Sequence, residues 1–228
     1  MGAPSAENGW IAASLREAGE LLRAQGGNPY RAGAYLRAAE SVAALGRPIR
    51  EDFDRQGPAG LQRLPGIGAG IAAAIAEMLI TGRWAQLLRL RGEADEAGIA
   101  AAHSSEHPGE RPSVEDLLDV DREYRAKAAA GRLALIAPKR LNPQGKAWLP
   151  VLHTQRGGWH FTALYSNTAR AHELGRTRDW VVVYYYDGEH REQQCTVVTE
   201  TRGALAGKRV VRGREPECRE LLLSATEA

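Results

Sequence analysis

In the first 92 residues the apolar positions recur with the period of a helix, and glycine and proline close the segments between them. Ile11, Leu15, Ala18 and Leu22 share one helical face, with Asn8 as the expected N-cap and the glycines at 26–27 as the stop. "NPYRAGAYLRAAESVAALG" predicts a second helix, capped by Asn28, opened by Pro29 and ended by Gly46. "EDFDRQGPAGLQRL" predicts a short helix or turn. Ile71, Ile75, Met78 and Leu79 then stand at i, i+4, i+7 and i+8 of a further helix, and "TGRWAQLLRLRG" predicts a brief closing one. Residues 1–92 therefore predict a small all-α domain.

The period is lost over 93–113, where Pro, Ser and acids accumulate, and this stretch reads as an acidic linker. From Ser113 the pattern returns. "SVEDLLDVDREYRAKAAAG" predicts a helix with Ser113 as N-cap, Asp116 three residues on and Gly131 as the stop. Strand patterns follow in "WLPVLHTQ" and "WHFTALYSN" around "RGG", then in "DWVVVYYY" and "QCTVVTE" around "DG". "NTARAHELG" predicts one short helix between them. "WVVVYYY" is apolar on both faces, which predicts a central, covered strand. The expected fold class is α+β: an all-α N-terminal domain (1–92) and an α+β domain (114–228) with a mainly antiparallel sheet.

Charge changes this picture more than composition does. Residues 1–92 carry 11 Arg against 8 acids (+3), residues 93–126 carry 3 Arg against 10 acids (−7), and residues 127–228 carry 16 Lys or Arg against 10 acids (+6). Two basic blocks flanking an acidic connector suit two modules that face polyanions. No apolar run approaches the length of a membrane span, the first residues lack a signal-peptide pattern, and Cys195 and Cys218 are too few for a disulfide scaffold. A reduced, cytoplasmic setting without a membrane partner is expected.

The stretch "LQRLPGIGAGIAAAIAEMLITGRW" (61–84) carries the most specific chemistry. A dinucleotide fingerprint needs a third glycine where Ile71 stands and a strand before it; a Walker loop needs Gly-Lys-Ser/Thr where Gly70-Ile71 stands. Neither pattern is met. "LPGIGAGIAAAI" fits a helix-hairpin-helix motif. Leu64 closes the first helix, Pro65 breaks it, Gly66 and Gly68 permit the reversal, and Ile71 and Ile75 anchor the second helix against Leu61 and Leu64. Such a hairpin offers unpaired backbone N–H groups at a helix start. They hold a DNA phosphate without side-chain charge, and small residues let the sugar-phosphate chain come close. This explains why a phosphate-facing segment carries no lysine.

"NPYRAGAYLRAAESV", the glycine stretch and "LLRLR" together resemble the N-terminal, 8-kDa or lyase domain of family X DNA polymerases over residues 8–92. The resemblance implies a small helical unit that binds the 5′-phosphate side of gapped DNA. It also implies a monovalent cation, K⁺ or Na⁺, held by the backbone carbonyls of Gln62, Leu64 and Ile67. No other cofactor is expected. The DNA-contacting set is Arg31, Tyr35, Arg63, Gly66, Ile67, Gly68, Ala69, Gly70 and Arg83. Two departures matter: Ala74 stands where lyases of that family place the Schiff-base lysine, and Gly70 stands at the accompanying basic position. Arginine elsewhere cannot replace the nucleophile because it stays protonated. The carboxylate triad of a polymerase palm is also missing, since the Asp119/Asp121 pair lies on a predicted helix, where capping and solvation account for it.

For the second module two readings stay open. If its first hairpin turns at Arg156–Gly157, His153 faces His160, which makes a hydrogen-bonded pair, a metal site or the catalytic pair of a nuclease, completed by His172, Glu173 or Asp187. His103 and His107, with Glu106 between them, form a further possible metal pair if the linker is helical. Alternatively Trp148, Trp159 and Tyr165, interleaved with Lys139, Arg140, Lys146, Arg156, Arg170, Arg176, Arg178 and the run Lys208 to Arg214, hold single-stranded nucleic acid on a sheet. The expected function is non-specific DNA binding in repair or maintenance, with gapped, nicked or single-stranded DNA as partner and no polymerase or lyase activity. A nuclease or a protein-interaction adaptor is the alternative.

Overall fold

A computed structural model describes residues 5–92, 111–138, 140–186 and 193–224 of the chain. They divide into two compact units, residues 5–92 and the remainder.

The first unit contains five helices: α1 (Ala6–Ala24), α2 (Pro29–Ala43), α3 (Arg50–Leu61), α4 (Ala69–Thr81) and α5 (Ala85–Leu90). The cap of α2 is the expected one, with Asn28 Oδ1 accepting from the N–H groups of Tyr30 and Arg31. The helix ends at Ala43, before Gly46. The cap of α1 differs from expectation. Ser5 takes the role, accepting from the Asn8 N–H, and Asn8 lies fully buried one turn inside. Its amide donates to the Arg47 carbonyl and accepts from the Ile49 N–H, both at 2.9 Å. An amide with donor and acceptor both satisfied can be buried, and here it ties α1 to the chain entering α3. Ile11, Leu15, Val42, Ile49, Leu61, Ile75 and Met78 form the centre of the core.

The second unit opens with α6 (Val114–Ala129), capped by Ser113, whose hydroxyl accepts from the Asp116 N–H. Six strands follow: β1 (Ala134–Ile136), β2 (Leu149–Arg156), β3 (Trp159–Tyr165), β4 (Val181–Tyr186), β5 (Gln193–Thr199) and β6 (Arg209–Val211). A short helix α7 (Ala169–Glu173) links β3 to β4, and α8 (Glu215–Ser224) follows β6. The strands pair antiparallel in chain order, so the fold is α+β. The interior strand β4 is buried at every position, as its doubly apolar sequence requires. Alternation divides the sheet. Leu152, Phe161, Ala163, Val181, Val183, Tyr185 and Val197 cluster with Leu117, Val120 and Tyr124 of α6 and Cys218 of α8. Leu149, Val151, Leu164, Val182 and Tyr184 form a second cluster with Ile136.

Two sequence expectations fail in this unit. The β2–β3 turn is centred on Gly157–Gly158, because Arg156 pairs with Trp159 inside the ladder. Gly157 supplies the left-handed φ (+53°) that the first central position of this two-residue turn takes. Moving the turn by one residue moves each cross-strand partner by two. His153 therefore faces Thr162, with Nδ1 2.9 Å from its hydroxyl, and His160 faces Gln155 and stacks on Tyr186. The facing histidine pair does not exist. Asp121, in turn, is no solvated surface residue: it is 1% exposed and binds Arg209 at 2.6 Å and Arg125 at 3.1 Å. Asp119 pairs instead with Arg156 at 2.8 Å.

Burial has a further consequence for this core. It pushes the Tyr185 hydroxyl up to about 12 and the Cys195 thiol up to about 12, and raises the Tyr124 hydroxyl as well. Each group stays neutral in the folded chain but ionises near its ordinary value once unfolded. The stability they contribute, on the order of 3 kcal/mol each for Tyr185 and Cys195, is complete below about pH 9 and lost as pH rises toward about 12. The melting temperature of the full chain is expected to fall steadily above about pH 9, with Cys195→Val delaying the onset toward about pH 10. A melting temperature level to about pH 11 would refute this.

Candidate nucleic-acid interface

The hairpin between α3 and α4 is assembled from local rules. A kink at Gln56–Gly57 and Pro58 re-aim the end of α3, whose last residue, Leu61, is fully buried. The chain then tightens through bonds from Leu64 N–H to the Leu61 carbonyl (3.1 Å) and from Ile67 N–H to the Leu64 carbonyl (3.2 Å). Gly66 has φ +75°, a left-handed value that strains any L side chain. Ile67, 4% exposed, pins the turn to the core, and the residues around it, Gln62, Arg63, Pro65, Gly66, Gly68 and Ala69, are exposed.

Gly68 is the N-cap of α4 and contributes no side-chain acceptor. The first-turn N–H groups of Ala69, Gly70 and Ile71 accordingly lack the partner that a capping side chain provides. No acid lies in this turn, so the positive helix end is not offset. The two motif glycines serve different ends. Gly66 is required by its own backbone. Gly68 has φ −82° and ψ 177°, open to any residue, and a methyl group there would meet no protein atom within 4 Å. Among the described residues nothing calls for glycine at 68. Its effect is to leave the amides open to an outside oxygen.

Side chains form two groups, one of them at this tip. Arg63 sits on it, and Gly66 approaches α2 beside Arg37 and Ser41. Arg37 is exposed, with its guanidinium above Gly33. The second group lies further along α2. Arg31 Nε donates to Tyr35 Oη (2.8 Å), Arg31 Nη2 donates to Gln86 Oε1 (2.7 Å), and Tyr35 Oη donates to the same oxygen (2.8 Å). Trp84 meets the Tyr35 ring edge-on at 5.2 Å. Both of these acceptors are neutral, and they fix the direction of the Arg31 side chain. At 1.5 Å per residue Arg31 stands about 9 Å along the helix from Arg37. Arg83 follows the C-terminus of the 13-residue α4, about 20 Å along that helix from the tip. The structure thus groups Arg63 with Gly66, Ile67, Gly68, Ala69 and Gly70, and holds Arg31 and Tyr35 against Trp84 and Gln86, on the Arg83 side of the unit and away from the tip. Sequence reasoning missed Arg37 and Gln86. The i+6 spacing from Arg31 offered a faint signal for Arg37, whereas Gln86 reaches Arg31 across 55 positions and offered none.

Gln62, Leu64 and Ile67 bracket the turn. The Leu64 carbonyl already accepts from Ile67, and its second lone pair is the one a cation would use. Ala74 is 6% exposed and belongs to the core.

In the second unit most candidate cations are committed. Arg156 binds Asp119 and Glu123, whose carboxylates raise its pKa. Arg176 lies near Asp179, Arg170 near Glu173, Arg209 on Asp121 and Asp179, Arg212 on Glu200, and Arg214 on Glu217. Trp159 packs against the helix-covered core. Among the described residues no group of three or more His, Cys, Asp or Glu is placed to hold a metal ion, and no helix is long and apolar enough to cross a membrane. The linker residues 93–110, with Glu106 and the His103/His107 pair, lie outside the described residues, as do Lys139 and Asp187.

Residues 6–84 match the family model of the helix-hairpin-helix domain, about a third of the chain, and the N-terminal unit is a helix-hairpin-helix domain. No curated protein matches the chain.

Proposed function

We propose that the chain binds DNA through the backbone of the hairpin at Pro65–Gly70, with weak sequence preference, in DNA repair or maintenance. The observation that carries this reading is Gly68, a glycine that neither its dihedral angles nor its packing requires, at the uncapped start of α4. Phosphate oxygens fit a bare helix start flanked by arginine, and backbone contacts carry no base information. Arg63, Arg37 and Arg31 supply the long-range attraction. The resemblance to family X polymerases extends the reading to gapped or nicked DNA, and to a K⁺ or Na⁺ ion on the carbonyls of Gln62, Leu64 and Ile67. The unit binds without Schiff-base chemistry, because residue 74 carries a buried methyl group in place of an amine.

Anisotropy titrations with duplex, nicked, gapped and single-stranded DNA test this. If three arginines each neutralise one phosphate, duplex affinity falls roughly fortyfold between about 50 and about 200 mM salt. Borohydride treatment with an abasic substrate is expected to trap no adduct. Salt-independent binding, or none to any of the four DNAs, would sink the reading; a trapped adduct would overturn its chemical half.

A further inference from the structure

The C-terminal unit holds a groove of about 710 Å³ beside the edge strand β1, lined in part by Leu133, Leu135, Leu141, Trp148, Tyr165 and Arg178. Leu135 and Leu141 are 55% and 48% exposed, unusual for leucine, and Leu141 has φ +52°, unusual for any bulky residue. The surrounding loop is nonetheless fixed. Asn142 bonds to the backbone of Pro138 and Lys146, and Asn167 bonds to the Arg140 carbonyl and to His172. His172 in turn meets the Trp148 ring edge-on at 6.3 Å. The aromatic wall is therefore held in place before anything binds.

Charge identifies the occupant. Between Glu123 and Glu173 the chain contains eight Lys or Arg and no acid. Arg125, Lys127, Arg156 and Arg170 are paired with acids lying at or beyond the ends of that segment. Arg132 and Lys146 within it, and Arg178 on the groove wall, have no acid partner among the described residues. Among the described residues no carboxylate lines the groove. An apolar slot with two aromatic side chains, a histidine and an arginine, set in a segment whose charges are of one sign, matches a flat, apolar base carried on an anionic backbone. An aliphatic peptide would account for the leucines but not for charges of one sign.

We infer that this groove binds single-stranded DNA, taking an unpaired base against Trp148 and Tyr165 with the adjoining phosphate near Arg178. The inference rests on the reading that the chain acts on DNA, and it adds a second site with a different preference. Trp148 and Tyr165 line the groove while also packing against the core, whereas Trp159 packs against the core and is not among the described residues that line the groove.

The test uses the full chain, labelled oligo(dT) and a labelled duplex. Trp148→Ala and Arg178→Glu are each expected to weaken oligo(dT) binding about tenfold while leaving duplex binding within about twofold, and Trp148→Phe to retain most of it. Arg178 is exposed, so its variant carries the test alone if Trp148→Ala does not fold. Oligo(dT) binding unchanged in Arg178→Glu and in any folded Trp148→Ala overturns the groove assignment. The hairpin reading fails by a separate result, undiminished duplex binding in Gly68→Asp.

Discussion

Gly68→Asp is expected to raise the stability of the helix-hairpin-helix domain slightly while lowering its affinity for duplex DNA by roughly thirtyfold to a thousandfold. The two effects share one cause. An Asp at an N-cap accepts hydrogen bonds from the first-turn N–H groups, which gains a few tenths of a kcal/mol over glycine. The backbone at 68 already has the extended ψ of a cap, and space for the side chain is open. The same carboxylate then occupies the position of the phosphate and repels it. Two charge-assisted bonds at about 1.5 kcal/mol each, with repulsion added, account for the loss. Differential scanning fluorimetry and duplex anisotropy on one preparation check both signs. A variant that binds duplex normally while melting higher would show that the uncapped turn has no part in binding.

Arg209→Met is expected to destabilise the C-terminal unit by about 3–5 kcal/mol, lowering its melting temperature by about 15–25 °C. The Arg209 side chain is 16% exposed, and its guanidinium reaches both oxygens of Asp121, the carboxylate and carbonyl of Asp179, the Val197 carbonyl and the Thr199 hydroxyl. Removing it leaves Asp121, 1% exposed, with Arg125 alone at 3.1 Å. The cost is that of an under-compensated buried charge, and the pair itself need contribute little. Asp121→Leu combined with Arg209→Met should accordingly recover a large part of the loss. Thermal melts of the two variants decide it; a single variant within about 1 kcal/mol of the parent would contradict the argument.

Much of the helical half was legible because its signals are local. Asn28-Pro29 and Ser113 with Asp116 announce helix starts within four residues, and Pro65 to Gly70 announces a turn that only glycine can make at 66. Asn8 departs from its expected role because sequence cannot tell an amide that caps from one that is buried and satisfied by Arg47 and Ile49. The strands β1 and β6, three residues each, are too short to show a period. The histidine register turned on which two residues of Arg156-Gly157-Gly158 occupy the turn, a choice fixed by the ion pairs that keep Arg156 in the strand. Trp148, Tyr165 and Arg178 stand out in the sequence, but their meeting in one groove does not, since it joins the end of α6, β1, a loop and α7. Its lack of acids stood in the sequence throughout.

The bond from Arg209 to Asp121 spans 88 positions, from near the end of the sheet back to the helix that precedes it. During synthesis α6 emerges first, and its buried carboxylate waits for the last strand. At ordinary elongation rates that interval is on the order of 4–18 s. Through it the helix has no complete sheet to cover, so the C-terminal unit closes only when β6 arrives. A ribosome stalled before residue 209 would hold a chain whose hairpin domain is already complete and whose second domain has yet to form.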